Sequence, residues 1–278
     1  MTFFWGVTFP LIKQSMEYTT PVIFLAVRFG ISAAVVLPLA IKGKEIAMTR
    51  SVVPGIVSGT LLFLGYFFQT LGLVYTSAID SGIITGLYVV LIPVLSALVF
   101  RATVMKRDYV LSLLSLSGLI IMSIFALGDL SLQIGNVLTV VCAFAYALQI
   151  IFVSRKSSGT ELWSFTFYTL LTVSVLSLVS VPLYPHEFLV VNSYLLFSIL
   201  FTATLAGSFA IYVQNMALRF VDAGLAGIIF VGEPIFSTAA AVFIGNESLT
   251  LFTAIGGSVM VLSMVISTYM RYREGSLS

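Results

Sequence analysis

Long apolar runs separated by short polar or charged clusters dominate the hydropathy pattern of the chain. A helix that crosses a bilayer needs about 20 mostly apolar residues, and nine runs reach that length. A tenth run, residues 1–12, is shorter, and we expect a segment upstream to complete it. The pattern therefore predicts an all-α membrane protein with ten transmembrane helices. The nine full spans are predicted at 20–41, 53–74, 77–100, 109–127, 134–153, 163–182, 193–215, 222–244 and 250–270.

The amino-acid composition excludes most other classes of protein. The chain is 59% hydrophobic and 9% charged, with a formal net charge of +2. Because a soluble domain is about a quarter charged, these values exclude a cytosolic enzyme, a disordered chain and a nucleic-acid binder. The single cysteine, Cys142, excludes an internal disulfide framework and a cysteine-based zinc site. The single histidine, His186, removes most metalloenzyme and serine–histidine chemistry. We predict no metal and no cofactor.

The basic residues predict the orientation. With the N-terminus placed in the cytoplasm, all but two of the 13 lysines and arginines fall on the cytoplasmic side. The two exceptions are Lys13, which falls outside, and Arg28, which falls within the second span. Because cytoplasmic loops are enriched in Lys and Arg, we predict a cytoplasmic-membrane protein with both termini in the cytoplasm.

An internal repeat divides the chain into halves at 1–130 and 131–278. Residues 65–78 align with 210–223, and further pairs follow on either side. Each half holds five predicted spans, and because five is odd, the second half must be inverted relative to the first. Inverted repeats of this kind are typical of transporters that expose a central site to each side in turn. The matched pairs are Trp5 with Tyr146, Gln69 with Gln214, Leu73 with Leu218, Ala78 with Ala223 and Pro93 with Pro234.

Short motifs along the chain carry a family resemblance. They are Trp5-Gly6, Arg28-Phe29, Tyr75 to Ala78 with Gly82, Leu87 to Leu91 with Pro93, Val221 to Ala226, Glu233-Pro234, Gly245-Asn246-Glu247 and Gly256-Gly257. Together they resemble the EamA-type branch of the drug/metabolite transporter superfamily. The resemblance covers nearly the whole chain and implies a ten-helix carrier of small organic molecules. The chain departs from the family at 101–106, because a Gly-x-Glu is frequent there in the family and is absent here.

Polar side chains in the middle of spans are the candidate substrate-binding residues, because each must find a partner in hydrocarbon. The family lines its central cavity with the first, third, fourth, sixth, eighth and ninth helices, and the candidates fall on these helices. The alternative for each one is a hydrogen bond that only joins two helices. The candidates are Trp5, Tyr66, Gln69, Tyr88, Tyr146, Gln149, Tyr212, Gln214 and Glu233.

Glu233 is the one acid that we predict at the middle of a span. It either contacts a substrate amine, carries a proton, or pairs with Arg28 or a hydroxyl group in a structural role. Because proline cannot donate the helical hydrogen bond, Pro93 and Pro234 are predicted helix breaks that serve gating.

The other charged residues of the spans have structural interpretations. Arg28 either holds a carboxylate or a phosphate bidentately or extends its guanidinium to the outer interface, and we favour the second. We expect Lys13 to be interfacial. We expect Asp80 and Asp222 to cap the helices that they begin.

The predicted function is secondary transport of a small organic metabolite, an amino acid or a related compound, with export as the favoured direction. The bilayer is a partner, proton coupling would rest on Glu233, and the oligomeric state stays open. One alternative is an antiporter for a phosphate-bearing substrate, which would need several buried basic residues. An intramembrane enzyme or a channel is the alternative from another class.

Overall fold

The computed structural model describes residues 1–42, 49–100, 105–123, 130–183, 188–221, 223, 226 and 230–275. Nearly all of these residues are helical, which agrees with the predicted all-α class. A 3₁₀ turn, Val181–Leu183, follows the eighth helix, and a π-helical segment, Thr202–Phe209, joins the ninth to the tenth. The helices are α1 (Thr2–Ser15), α2 (Pro21–Lys42), α3 (Thr49–Tyr75), α4 (Ala78–Thr85), α5 (Tyr88–Phe100), α6 (Lys106–Ser123), α7 (Leu130–Lys156), α8 (Leu162–Ser180), α9 (Ser193–Phe201), α10 (Ala210–Ala217), α11 (Gly232–Phe243) and α12 (Leu251–Gly275).

Six helical segments in the described part of the chain are long and apolar enough to cross a membrane. They coincide with six of the nine full spans predicted from hydropathy, and Leu251–Ser267 is a shorter apolar helix. The molecule is therefore a multi-pass membrane protein. The six segments are Pro21–Lys42, Arg50–Tyr75, Ala78–Val99, Gln133–Lys156, Leu162–Ser180 and Ser193–Ala217.

The helix that contains Pro93 is interrupted at a different position from the predicted one. Gly86 and Leu87 form a turn between α4 and α5, whereas Pro93 lies inside α5. Glycine is a poor helix former, and the turn is closed by short-range bonds such as Leu87 N to Ile84 O at 3.0 Å. Because proline has no N–H, Pro93 removes the helical bond to the Val89 carbonyl, but α5 continues through it to Phe100.

Pro234 lies in the first turn of α11. Val231 is in a turn, and the helix begins at Gly232. This position is favourable for proline, because the first N–H groups of a helix have no intrahelical partner. The N–H groups of this first turn, that of Glu233 included, have no partner within α11 itself.

The helices pack as one bundle with its core between the two halves of the chain. α3 packs on α7 and α8, α2 packs on α8, and α6 packs on α12. α11 packs against α1 and α4. The buried side chains near the centre form one continuous cluster that includes Trp5, Tyr88, Tyr146 and Phe230.

Several residues given roles above lie outside the described residues. These are His186, Asp222 and residues 101–104 of the segment that departs from the family pattern.

Candidate functional site

A narrow, partly open cavity lies in the interior of the bundle, where α1, α3, α5, α7, α10 and α11 meet. Its free space is about 30 Å³, which is room for about two water molecules. Eight of the nine predicted binding residues line it. The lining is Trp5, Thr8, Leu62, Tyr66, Gln69, Tyr88, Tyr146, Gln149, Ile150, Ile211, Gln214 and Glu233.

Glu233 is the acid of this cavity, and it is held by a tyrosine. The Tyr88 hydroxyl donates to Glu233 Oε2 at 2.7 Å, and both side chains are buried. Tyr88 begins α5 and Glu233 is in the first turn of α11, so the two helix interruptions bring them together. Hydrogen bonds to a carboxylate are among the stronger ones in proteins. Glu233 therefore has a defined orientation toward the cavity without a basic partner.

Two hydrogen-bonded groups of amide side chains form another part of the wall. The Tyr146 hydroxyl donates to Gln69 Oε1 at 3.2 Å, and Gln69 Nε2 donates to Thr85 Oγ1 at 3.3 Å. Gln214 Nε2 donates to Gln149 Oε1 at 3.3 Å. Gln69 and Gln214 thus both contribute hydrogen-bonded amides to the lining of the cavity.

One amide oxygen on this wall has no hydrogen-bond partner. Gln149, which accepts from Gln214, in turn donates from its Nε2 atom to Ser58 Oγ at 3.2 Å. Gln214 Oε1 is buried and has no hydrogen-bond partner in the structure. A buried acceptor without a partner is costly, so it is available to a ligand donor.

Close packing sets the positions of two aromatic lining residues. Trp5 Nε1 donates to the Ala206 carbonyl at 2.9 Å. Ala206 lies in the π-helical segment, where the shifted pattern of backbone hydrogen bonds leaves this carbonyl accessible. The Tyr146 ring packs directly on Gly65, where an added Cβ would lie 2.2 Å from its Cε1 atom. Glycine is therefore required at position 65 for α7 to bring Tyr146 against α3.

Tyr212 is the predicted binding residue that the structure does not bring to this cavity. Its ring stacks on Trp163 with centroids 3.8 Å apart and an interplanar angle of 16°. Its neighbour two residues on, Gln214, does line the cavity. Two residues along a helix correspond to a rotation of about 200°, so the two side chains point to opposite sides.

Four lining residues were missed because they carry little or no polar signal. They are Thr8, Leu62, Ile150 and Ile211. Each lies one, three or four positions from a predicted residue on the same helix. Helical spacing from the polar candidates could have found most of them.

The position of Arg28 differs from the predicted one. It is fully buried in α2 and does not reach the outer interface. Arg28 Nε donates to the Thr202 carbonyl at 3.2 Å, and its guanidinium carbon lies 4.8 Å from the centre of the Tyr66 ring. Glu233 does not pair with it. The π-helical segment and the aromatic rings hold the side chain inside the bundle, which prevented the expected extension to water.

Asp80 lies in the first turn of α4, where its carboxylate favours the helix dipole as predicted, but other side chains accept the first N–H groups of this helix. The N-terminus of α4 is capped by Ser77 Oγ and by both oxygens of Glu247, which accept from Ala78 N at 2.8 Å and Ile79 N at 3.0 Å. Asp80 instead accepts from Thr253 Oγ1 at 3.1 Å.

Lys13 is half-buried at the same end of the bundle. Its ammonium group donates to the Thr76 carbonyl, with the charges of Glu247 and Asp80 nearby. This charged group closes the end of the bundle where α1, α3 and α4 meet.

Comparison with known proteins identifies the class. The model of the EamA-like transporter family matches residues 1–124 and 133–269, and the chain belongs to this family. An uncharacterized transporter of Archaeoglobus fulgidus (strain ATCC 49558 / DSM 4304 / JCM 9628 / NBRC 100126 / VC-16) is 30% identical over 262 residues, which cover 94% of this chain and 81% of that protein.

Two further comparisons are more distant. A protein named as an S-adenosylmethionine uptake transporter, from Rickettsia prowazekii (strain Madrid E), is 23% identical over 243 residues and covers 87% of this chain and 81% of its own. One crystal structure is similar with a TM-score of 0.68 and 18% identity over 98% of both chains, and this likeness concerns the fold alone.

Proposed function

We propose that this transporter is a secondary carrier that moves a small organic metabolite, an amino acid or a related compound, across the cytoplasmic membrane by alternating access. The proposed direction is export, and both termini are cytoplasmic. The observation that carries the proposal is the narrow central cavity, which combines aromatic rings, amides and one carboxyl group. A cavity of this kind provides apolar surface together with a few oriented polar groups, as small-molecule sites do.

The proposal includes ten transmembrane helices in two inverted repeats. In this scheme, α4 with α5 form the fourth span, and α9 with α10 form the eighth. Three contacts then join equivalent spans of the two halves: α2 with α8, α6 with α12, and α4 with α11. The packing of α3 on α8 has its counterpart in α2 on the π-helical segment. A two-fold axis between the halves would produce these pairings, and they support the repeat boundary at 130/131.

Alternating access follows from the size of the cavity. About 30 Å³ of free space cannot hold an amino acid. The helices around the cavity must therefore separate before a substrate enters. Rocking one repeat against the other is the motion that inverted-repeat carriers use.

Glu233 is the proposed group for a substrate amine or for a coupled proton. It is buried, lines the cavity, and has a tyrosine hydroxyl as its hydrogen-bond partner. Intramembrane carboxyl groups that face a cavity commonly belong to substrate or proton pathways. The remaining lining residues would then set the size and polarity of the substrate.

The test is transport by the purified protein in liposomes, with and without an imposed pH gradient. The panel contains labelled amino acids and S-adenosylmethionine, which is chosen because of the relative named above. Uptake driven by the gradient is the expected result, and Glu233→Gln should abolish the dependence on pH. Glu17→Gln, which removes an acid outside the central cavity, is the matched control and should leave uptake unchanged.

Three outcomes would contradict parts of the proposal. Uptake that ignores the gradient in the wild type would exclude proton coupling and leave facilitated transport or exchange. An unchanged rate, affinity and pH dependence in Glu233→Gln would make this residue structural. No uptake of any panel member above protein-free liposomes would contradict the proposed substrate class.

A further inference from the structure

Arg28 is a buried charge whose outer edge has no partner in the structure. Its Nε atom is bound to the Thr202 carbonyl at 3.2 Å. Its Nη1 and Nη2 atoms are buried and have no hydrogen-bond partner. An ionised group inside a membrane bundle is expensive and is normally paired with an opposite charge. The free edge of this guanidinium is therefore unusual for a purely structural residue.

No carboxylate in the described ranges compensates the charge of Arg28. The titratable groups that face it are the hydroxyls of Tyr66 and Tyr146, and a tyrosine hydroxyl is uncharged near neutral pH. The Tyr66 hydroxyl interacts weakly with the guanidinium but makes no hydrogen bond of normal geometry to Nη1 or Nη2. The rings of Phe29 and Tyr66, at 4.9 and 4.8 Å from the guanidinium carbon, offer cation–π contacts. These contacts cover the faces of the guanidinium and leave its Nη1–Nη2 edge unsatisfied.

Tyr66 connects Arg28 to the cavity. Its side chain lines the cavity and also covers the guanidinium. Arg28 itself does not line the cavity. Movement of the Tyr66 side chain, when the helices separate, would bring the Nη1–Nη2 edge to the enlarged cavity.

The edge that is free has a definite chemical preference. One N–H from each Nη atom can donate to the two oxygens of a carboxylate in parallel, which is the common bidentate arrangement. One guanidinium balances one negative charge. The other buried charge at the cavity, Glu233, has the opposite sign and is bound to Tyr88 rather than to Arg28.

We propose that Arg28 binds an anionic group of the transported molecule, reached past Tyr66, so that Arg28 and Glu233 together select small zwitterions. This inference rests on the proposed carrier function and narrows its substrate class. The carboxylate of the substrate supplies the counter-ion that Arg28 lacks, and the amine meets Glu233.

The experiment compares amino acids with their α-carboxamides in proteoliposomes. The probes are L-leucine, L-phenylalanine and L-serine, each beside its carboxamide, which has nearly the same shape but no negative charge. We expect the wild type to transport at least one of these amino acids at least 10-fold faster than its carboxamide. Arg28→Gln should reduce this ratio to about one by slowing the acid and sparing the carboxamide, whereas Arg28→Lys should retain part of it.

Lys13→Gln is the matched control, because it removes a half-buried cation outside the central cavity. Its ratio of acid to carboxamide should equal that of the wild type. Size-exclusion elution and thermal unfolding of each variant establish that it is folded. If Arg28→Gln does not fold, the wild-type ratios and those of Arg28→Lys still decide the matter.

Equal transport of acids and carboxamides by the wild type would overturn the inference and leave the carrier function intact. An equal loss of both classes in folded Arg28→Gln protein would also overturn it, because a structural role predicts that result. Transport of the carboxamides alone, which have no anionic group, would overturn the inference as well. The absence of all transport would contradict the proposed function, and the inference with it.

Discussion

Gly82 of α4 and Ser237 of α11 are in close contact. Replacing the glycine by alanine and the serine by glycine tests how these two helices pack. A Cβ added at Gly82 would lie 2.0 Å from Ser237 Oγ and 2.5 Å from Ser237 Cβ. The next nearest atom is Ser237 Cα at 3.8 Å, which is an ordinary contact. Both obstructing atoms therefore belong to one side chain.

The expected cost of Gly82→Ala follows from this geometry. Overpacking of a close contact costs about 1–3 kcal/mol of folding free energy, which exceeds the gain of about 1 kcal/mol from replacing a helical glycine by alanine. Ser237→Gly alone loses the bond from Ser237 Oγ to the Pro234 carbonyl at 3.0 Å and introduces a helical glycine. It is therefore also destabilising.

The double variant Gly82→Ala/Ser237→Gly removes the clash and should recover stability. Because the two residues are in contact, their effects should couple favourably by about 1 kcal/mol or more. The assay is thermal unfolding of the purified proteins in detergent. The double variant should unfold at a higher temperature than the sum of the two single shifts predicts.

Two glycines act as controls. Gly6→Ala would meet the Ser237 backbone nitrogen at 2.7 Å and Phe236 Cβ at 2.5 Å, so Ser237→Gly should not rescue it. Gly159→Ala meets nothing within 4 Å and should be neutral. Additive effects at Gly82 and Ser237 would refute the contact between α4 and α11.

Two further substitutions have defined outcomes. Glu247→Ala removes the acceptors of Ala78 N and Ile79 N and should cost about 0.5–2 kcal/mol of stability. Glu247→Gln keeps one carbonyl acceptor and should lose less stability in the same thermal assay. Equal losses in the two variants would argue against capping. Tyr212→Leu removes the stack on Trp163, worth about 0.5–1.5 kcal/mol, and should leave liposome uptake within about twofold of the wild type. A selective loss of uptake in a stable Tyr212→Leu protein would return this residue to the substrate path.

Hydropathy and residue type were enough to predict the class of protein and much of its central site. The apolar runs alone predicted a multi-pass helical protein, because a bilayer requires long hydrophobic segments whatever their packing. Polar side chains in the middle of spans were equally informative, because hydrocarbon forces them to a partner or a cavity. Gln69, Gln149 and Glu233 were found in this way, and the structure gathers them around one cavity.

Tertiary structure alone decided the direction and surroundings of individual side chains. Tyr212 and Gln214 are both polar midspan residues. The rotation of α10 directs Gln214 to the cavity, whereas Tyr212 stacks on Trp163. Arg28 was expected at the interface because its length would reach water. The carbonyl of Thr202, distant by 174 residues in sequence, holds it inside instead.

The same limit applies to the helix interruptions and caps. A proline signals a missing hydrogen bond in the sequence, but whether the helix breaks there depends on where its first turn begins, as Pro93 and Pro234 illustrate. Glu247 caps a helix whose N-terminus lies 168 and 169 residues away in sequence. Local pattern determines which segments form helices in the membrane, whereas contacts between distant segments determine which polar groups are satisfied and which remain for a substrate.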